Sequence, residues 1–163
     1  MSEGIQRLVH NLKQQIAVYE QIYALEQEKK DALVRNNIQD IENVTARLGK
    51  LLRTVGRLEN ERISCVESVA RDLGRTPEDL KLAELSGHFP VLNEVRPGLE
   101  HVVRQIQDIQ STNAQLLIQA IRVVNYTLDL LTYEQGHTYA PPDAKTNRSY
   151  EETKKKQIMD WRV

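Results

Sequence analysis

Residues 41–58 read IENVTARLGKLLRTVGRL, and the spacing of Ile41, Val44, Leu48, Leu51, Val55 and Leu58 decides the fold class. The steps alternate by three and four, which keeps an apolar line on one face of an α-helix packed against another helix. Arg47, Lys50, Arg53, Arg57, Glu59 and Glu61 fill the other faces and keep them wet. The seam weakens at Arg62 and resumes at Val66, Val69 and Leu73. Gly49 and Gly56 lie one heptad apart on one side. They are either a flat strip where another helix approaches closely or two tolerated glycines, each costing up to ~1 kcal/mol against alanine.

Working outward, Asn36-Asn37 marks the upstream boundary. Asn37 is placed to cap the helix, with Asp40 in the first turn against its positive end. Before that boundary, Val9, Leu12, Ile16, Tyr19 and Tyr23 line one face of a first helix over about Ile5–Arg35. That stripe then passes through Glu26 and Lys30 before Leu33, which predicts loose packing at its far end. Downstream, Gly74 ends the seam helix. Thr76-Pro77-Glu78-Asp79 reads as the start of a short helix to about Leu85, with Ser86–Pro90 as loop.

A third long helix is predicted over about Leu92–Tyr133, on the repeat of Leu99, Val102, Ile106, Ile109, Asn113, Leu116, Ala120, Val124 and Leu128. Asn113 falls on this seam, where a polar residue fixes register at some cost in stability. Either the helix begins at Pro97 or Pro97 kinks an earlier turn. Leu117, Ile118, Ile121, Val123 and Leu131 exceed what one seam uses. A helix apolar over more than one stripe is covered by something, here a partner, the chain's own tail or the other two helices.

The expected fold is therefore all-α: an elongated antiparallel helical hairpin or bundle with coiled-coil packing and one short connecting helix. It occupies residues 1–135, and 136–163 form a mobile C-terminal tail. Five prolines and seven glycines are too few for an all-β domain of many tight turns. Lys plus Arg (22) nearly balances Asp plus Glu (23), against the basic excess typical of nucleic-acid binders. The single cysteine, Cys65, excludes an intrachain disulfide and suits a reducing compartment, where it packs as a small apolar residue. No signal peptide is visible, and the most apolar stretch, Leu116–Val124, is far shorter than the ~20 residues a bilayer requires. These features predict a soluble cytoplasmic protein without membrane insertion.

Catalytic chemistry is not legible. His10, His88, His101 and His137 are scattered. One Glu-x-x-His match, Glu134 to His137, falls where a helical di-metal site would need two. No phosphate-binding glycine loop or nucleophile elbow occurs. The expectation is no enzyme, no metal and no cofactor. Between Ala140 and Gln157 Tyr150 is the one large apolar side chain, yet Ile158-Met159-Asp160-Trp161-Arg162-Val163 restores apolar bulk. That ending is either an interaction peptide or a terminus that packs back on its own helices.

Several segments resemble the FlgN-type flagellar export chaperones. They are Glu26-Gln27-Glu28-Lys29-Lys30-Asp31-Ala32-Leu33 before the Asn37 restart, and Lys50-Leu51-Leu52 leading to Leu58-Glu59-Asn60-Glu61-Arg62. Asn113-Ala114-Gln115-Leu116-Leu117 and Thr138-Tyr139 follow in the same order. The threonine-tyrosine match is partial, since Ala140 stands where the family has glycine. The terminal six residues look like the apolar-acid-basic ending of many members.

The resemblance implies a cytosolic chaperone that holds the hook-filament junction proteins FlgK and FlgL by their C-terminal regions before type III export. It implies client contacts at Leu117, Ile121, Val124, Leu128 and Leu131 and at Ile158 and Trp161 in the tail. It also implies that Tyr139 docks the chain on the export gate protein FlhA. The competing reading is a homodimeric coiled-coil scaffold or adaptor with no export client, in which Val44, Leu48, Leu51, Val55 and Leu58 face a second copy. Both monomer and homodimer stay open at this level.

Overall fold

A computed structural model describes residues 3–135. All regular structure in them is helical: α1 (Glu3–Val34), α2 (Ile38–Leu73), a 3-10 turn (Pro77–Asp79), α3 (Leu82–His88) and α4 (Leu92–Gln135). The expected tail, 136–163, lies outside the described residues. The chain divides into two compact units, Met1–Val123 and Val124–Val163. In the second, the described residues are the end of α4.

In the first unit, α1 and α2 form an antiparallel hairpin. Its turn is set by two asparagines. Asn36 takes φ 54, and the amides of Asn36 and Asn37 return to the carbonyls of Leu33 and Ala32 at 3.2 and 3.0 Å. This closes α1 with a left-handed cap, a conformation asparagine tolerates better than most residues. Asn37 then starts α2: its Oδ1 accepts from the Asp40 amide at 3.1 Å, and its Nδ2 donates to the Asp40 carboxylate at 2.8 Å. Gly74 ends α2 at φ 66, as its position predicted.

The α2 seam packs on α1. Val44 and Leu48 join Ile22 and Leu25 in one buried cluster, with Leu51, Val55 and Ile106 against its edge. Leu58 is buried too. Val44, Leu48 and Leu58 are buried and Leu51 and Val55 half-buried within the chain, so this seam packs on α1 and not, as the competing reading had it, on a second copy. A second cluster at the other end of the hairpin gathers Ile5, Leu8 and Leu12 with Cys65, Val66, Val69, Leu85, Leu92 and Val95. There the helices approach closely: a Cβ on Gly4 would lie 3.1 Å from Val69 Cγ2.

Helix α4 runs parallel to α1. A Cβ on Gly98 would lie 3.6 Å from Ile16 Cδ1, Ile106 packs near Ile22 and Leu25, and Asn113 bonds Glu26. With α2 and α4 both on it, α1 is buried over a broad face that includes Asn11, Gln15 and Glu26. The expected stripe of Val9, Ile16, Tyr19 and Tyr23 is only half-buried, because it flanks the face that two partners cover. Loose packing at the far end of α1 is also corrected, since Glu26, Ala32 and Leu33 are all buried.

Between Thr76 and Pro90 the boundaries differ from the reading. The Thr76 hydroxyl bonds the Asp79 carboxylate instead of capping, and the turn stops after Asp79. Leu80 is then driven into the second cluster, beside Leu85 and Leu92, with φ −101 and ψ 87, which breaks the helix. Helix α3 restarts at Leu82 and runs through Ser86-Gly87-His88. Ser86 Oγ donates to the Ala83 carbonyl at 2.7 Å, and the Ser86 carbonyl accepts from Asn93 Nδ2 at 3.2 Å. Helix α4 begins at Leu92, upstream of Pro97, which sits inside it.

Candidate binding surface

The polar residues that tie the helices define where the site begins. Asn113 is 3% exposed, and its Nδ2 donates to the Glu26 carbonyl at 2.9 Å and to Glu26 Oε2 at 2.8 Å. Gln110 Nε2 reaches Glu26 Oε1 at 3.4 Å. Asn113 Oδ1 is buried without a partner. Nearer the other end, Asn11 Nδ2 donates to the Leu58 carbonyl at 3.0 Å, and Gln15 Nε2 to Asn11 Oδ1 at 3.2 Å. Arg62 grips Glu59 with bonds of 2.9 and 2.5 Å. That hydrogen bonding holds the Glu59 carboxyl below its usual range and raises Arg62. Burial pushes the nearby Tyr19 phenol up.

Past Asn113 the cover on α4 runs out. Helix α1 ends at Val34, and the matching step along α4 from Asn113 reaches Ile121. In the first unit Leu117, Ile118, Ile121 and Val123 are exposed. In the second, Val124, Tyr126, Leu128, Leu130, Leu131 and Tyr133 are exposed as well. Values run from 38% at Ile121 to 79% at Tyr133. Arg122, Asp129 and Glu134 supply the charge over this stretch of sequence.

Leu117 and Ile121 in the first unit are thus exposed, as are Val124, Leu128 and Leu131 in the second, and within each set the three-four spacing keeps the side chains on one side of the helix. Ile158, Trp161 and Tyr139 lie outside the described residues, as does His137. Glu26 was missed as a functional tie. The signal for it was Asn113, because a buried amide on a seam requires a polar partner opposite.

Among the described residues, no three His, Cys, Asp or Glu side chains come together as a metal site. No described helix is long and apolar enough to cross a membrane. The grooves between α1 and α2 are surface clefts, one lined by His10, Glu61 and Cys65, the other by Glu28, Arg47 and Leu51.

A helical chain that leaves an almost uncharged apolar helix face uncovered has the build of a protein-binding module. The chain belongs to the FlgN family: residues 1–147 match that family, described as FlgN protein. It is similar to the uncharacterized protein YvyG of Bacillus subtilis (strain 168), 19% identical over 131 residues, covering 80% of this chain and 82% of that protein. No solved structure matches. Family membership assigns the chain, in general terms, to the chaperones of flagellum biogenesis.

Proposed function

We propose that the chain is a cytoplasmic flagellar export chaperone whose clients are hook-filament junction proteins of the FlgK and FlgL type. It binds their C-terminal helical regions, prevents premature assembly and delivers them to the type III export gate through FlhA. The exposed apolar face of α4 carries this reading. An amphipathic client helix docks in such a face by its own i, i+3, i+4 and i+7 residues, removing both apolar surfaces from water. Leu117, Ile121, Val124, Leu128 and Leu131 are the proposed contacts on α4. Ile158 and Trp161 add contacts from the C-terminal segment, and Tyr139 contacts the gate. The role needs no catalytic group and no cofactor.

Calorimetric titration of the full chain with purified FlgK or FlgL from the same organism tests the reading. Saturable one-to-one binding is expected, weakened by deleting Ala140–Val163. Absence of heat with either client, in a chain helical by circular dichroism, overturns it.

A further inference from the structure

The described end of α4 is apolar on two opposite sides. Tyr126, Leu130 and Tyr133 are 66%, 50% and 79% exposed. Each stands two residues beyond Val124, Leu128 or Leu131, a rotation of about 200° on a helix of about 3.6 residues per turn, so the two sets form opposite stripes. The client reading uses one of them. The other is a second apolar surface that the client leaves in water.

The charge around this second stripe is of one sign. Asp129 and Glu134 are the charged residues between Val124 and Gln135. At about 100° per residue, Asp129 lies roughly 70° to one side of the stripe and Glu134 roughly 70° to the other. Neither is in an ion pair among the described residues. A complementary cover therefore brings apolar side chains and positive charge together.

The stretch 154–163 has that composition. Lys154, Lys155, Lys156 and Arg162 stand against the single acid Asp160, and Ile158, Met159 and Trp161 supply the apolar bulk. Residues 136–153 link it to the end of α4. Extended, that link reaches up to about 60 Å, several times the ~10 Å that the stripe spans. On such a tether the segment meets the stripe at an effective concentration on the order of millimolar, with no entropy spent on bringing a separate molecule.

We propose that residues 154–163 dock on Tyr126, Leu130 and Tyr133 of their own chain, with the lysine run and Arg162 against Asp129 and Glu134. This fixes Ile158 and Trp161 on α4 beside the stripe of Val124, Leu128 and Leu131 and leaves that stripe open. The docking stands without the client reading.

Trp161 is the one tryptophan, so its fluorescence in the full chain, with no client added, tests the proposal. A synthetic peptide of residues 154–163 gives the emission of the exposed indole. The full chain is expected to emit at shorter wavelength than the peptide, by an amount independent of chain concentration and reduced by added salt. The double variant Leu130→Ser with Tyr133→Ser is expected to return the emission to that of the peptide. So is Asp129→Lys with Glu134→Lys, which sets cations against cations. Val124→Ser, on the opposite stripe, is expected to leave it unchanged. All these positions are exposed, and circular dichroism confirms that the variants stay helical. Emission equal to the peptide's in the parent chain overturns the proposal, as does a shift that survives both double variants. A shift that grows with chain concentration assigns the stripe to the segment of a second copy and overturns it too.

Discussion

Asn113 on α4 clamps Glu26 on α1 through one amide that serves two acceptors, the Glu26 carbonyl and its carboxylate, at 2.9 and 2.8 Å. Glu26 is 5% exposed and no ion pair compensates it among the described residues. The amide groups of Asn113 and Gln110 are therefore what answers the carboxylate. This tie lies just before the point where α1 ends and the apolar face of α4 is uncovered.

Removing the amide while keeping the carboxylate is expected to be costly. Asn113→Ala leaves a buried acceptor unpaired and should lower stability by about 1–3 kcal/mol. Replacing both partners by leucine should recover most of that loss, because it removes the buried polar groups together. Urea unfolding followed by circular dichroism measures both. An unchanged midpoint for Asn113→Ala would show that the clamp carries no net stability.

The helix ends make a second test. Asn37→Ala removes the acceptor for the Asp40 amide and should cost about 1 kcal/mol, whereas Asn37→Ser keeps an acceptor and should cost less. Gly74→Ala forces a side chain into φ 66 and should cost about 1 kcal/mol. Equal stabilities for Asn37→Ala and Asn37→Ser would remove the capping account.

These ends were legible in the sequence because they depend on a few adjacent residues. Asn37 with Asp40, and Gly74 after Leu73, carry their meaning locally. The α2 seam was legible too, since one partner helix covers one face. Helix α1 was read less well because two helices press on it, so its buried face is too wide for a single stripe and includes Asn11, Gln15 and Glu26. The break at Leu80 was not legible, because it results from a tertiary pull into a cluster built from distant residues. For the candidate surface, the apolar excess from Leu117 to Leu131 was visible. Where α1 would stop covering it was not, because that follows from the Asn113–Glu26 register.

Acid should loosen the α1–α2 packing at Glu59. Its folded-state pKa is lowered, first by the Arg62 hydrogen bond. A lowered folded pKa means the contribution is present above the unfolded value of 4.5. It is lost as pH falls through the folded value. Stability is expected to fall below about pH 4.5, and Glu59→Gln should flatten that limb. Tyr19 acts with the opposite sign, since its raised pKa costs stability as pH climbs past 10. Chemical denaturation midpoints from pH 3 to pH 11 separate the two. An acid limb as steep in Glu59→Gln as in the parent would assign the effect to other carboxylates.

Leucines on α1 and α4 are expected to divide cleanly between folding and binding. Leu12 is 1% exposed, and Leu12→Ala should cost about 2–5 kcal/mol by opening a cavity. Leu128 is 54% exposed, so Leu128→Ala should change stability by no more than about 0.5 kcal/mol. If α4 is the client face, the order reverses for binding. Val124→Asp and Leu128→Asp place a charge where an apolar client side chain would seat, and each should weaken the FlgK or FlgL complex by roughly tenfold or more. Lys50→Ala, on α2, should leave that affinity unchanged. Client affinities that survive both aspartates, in chains still folded, would move the client off α4 altogether.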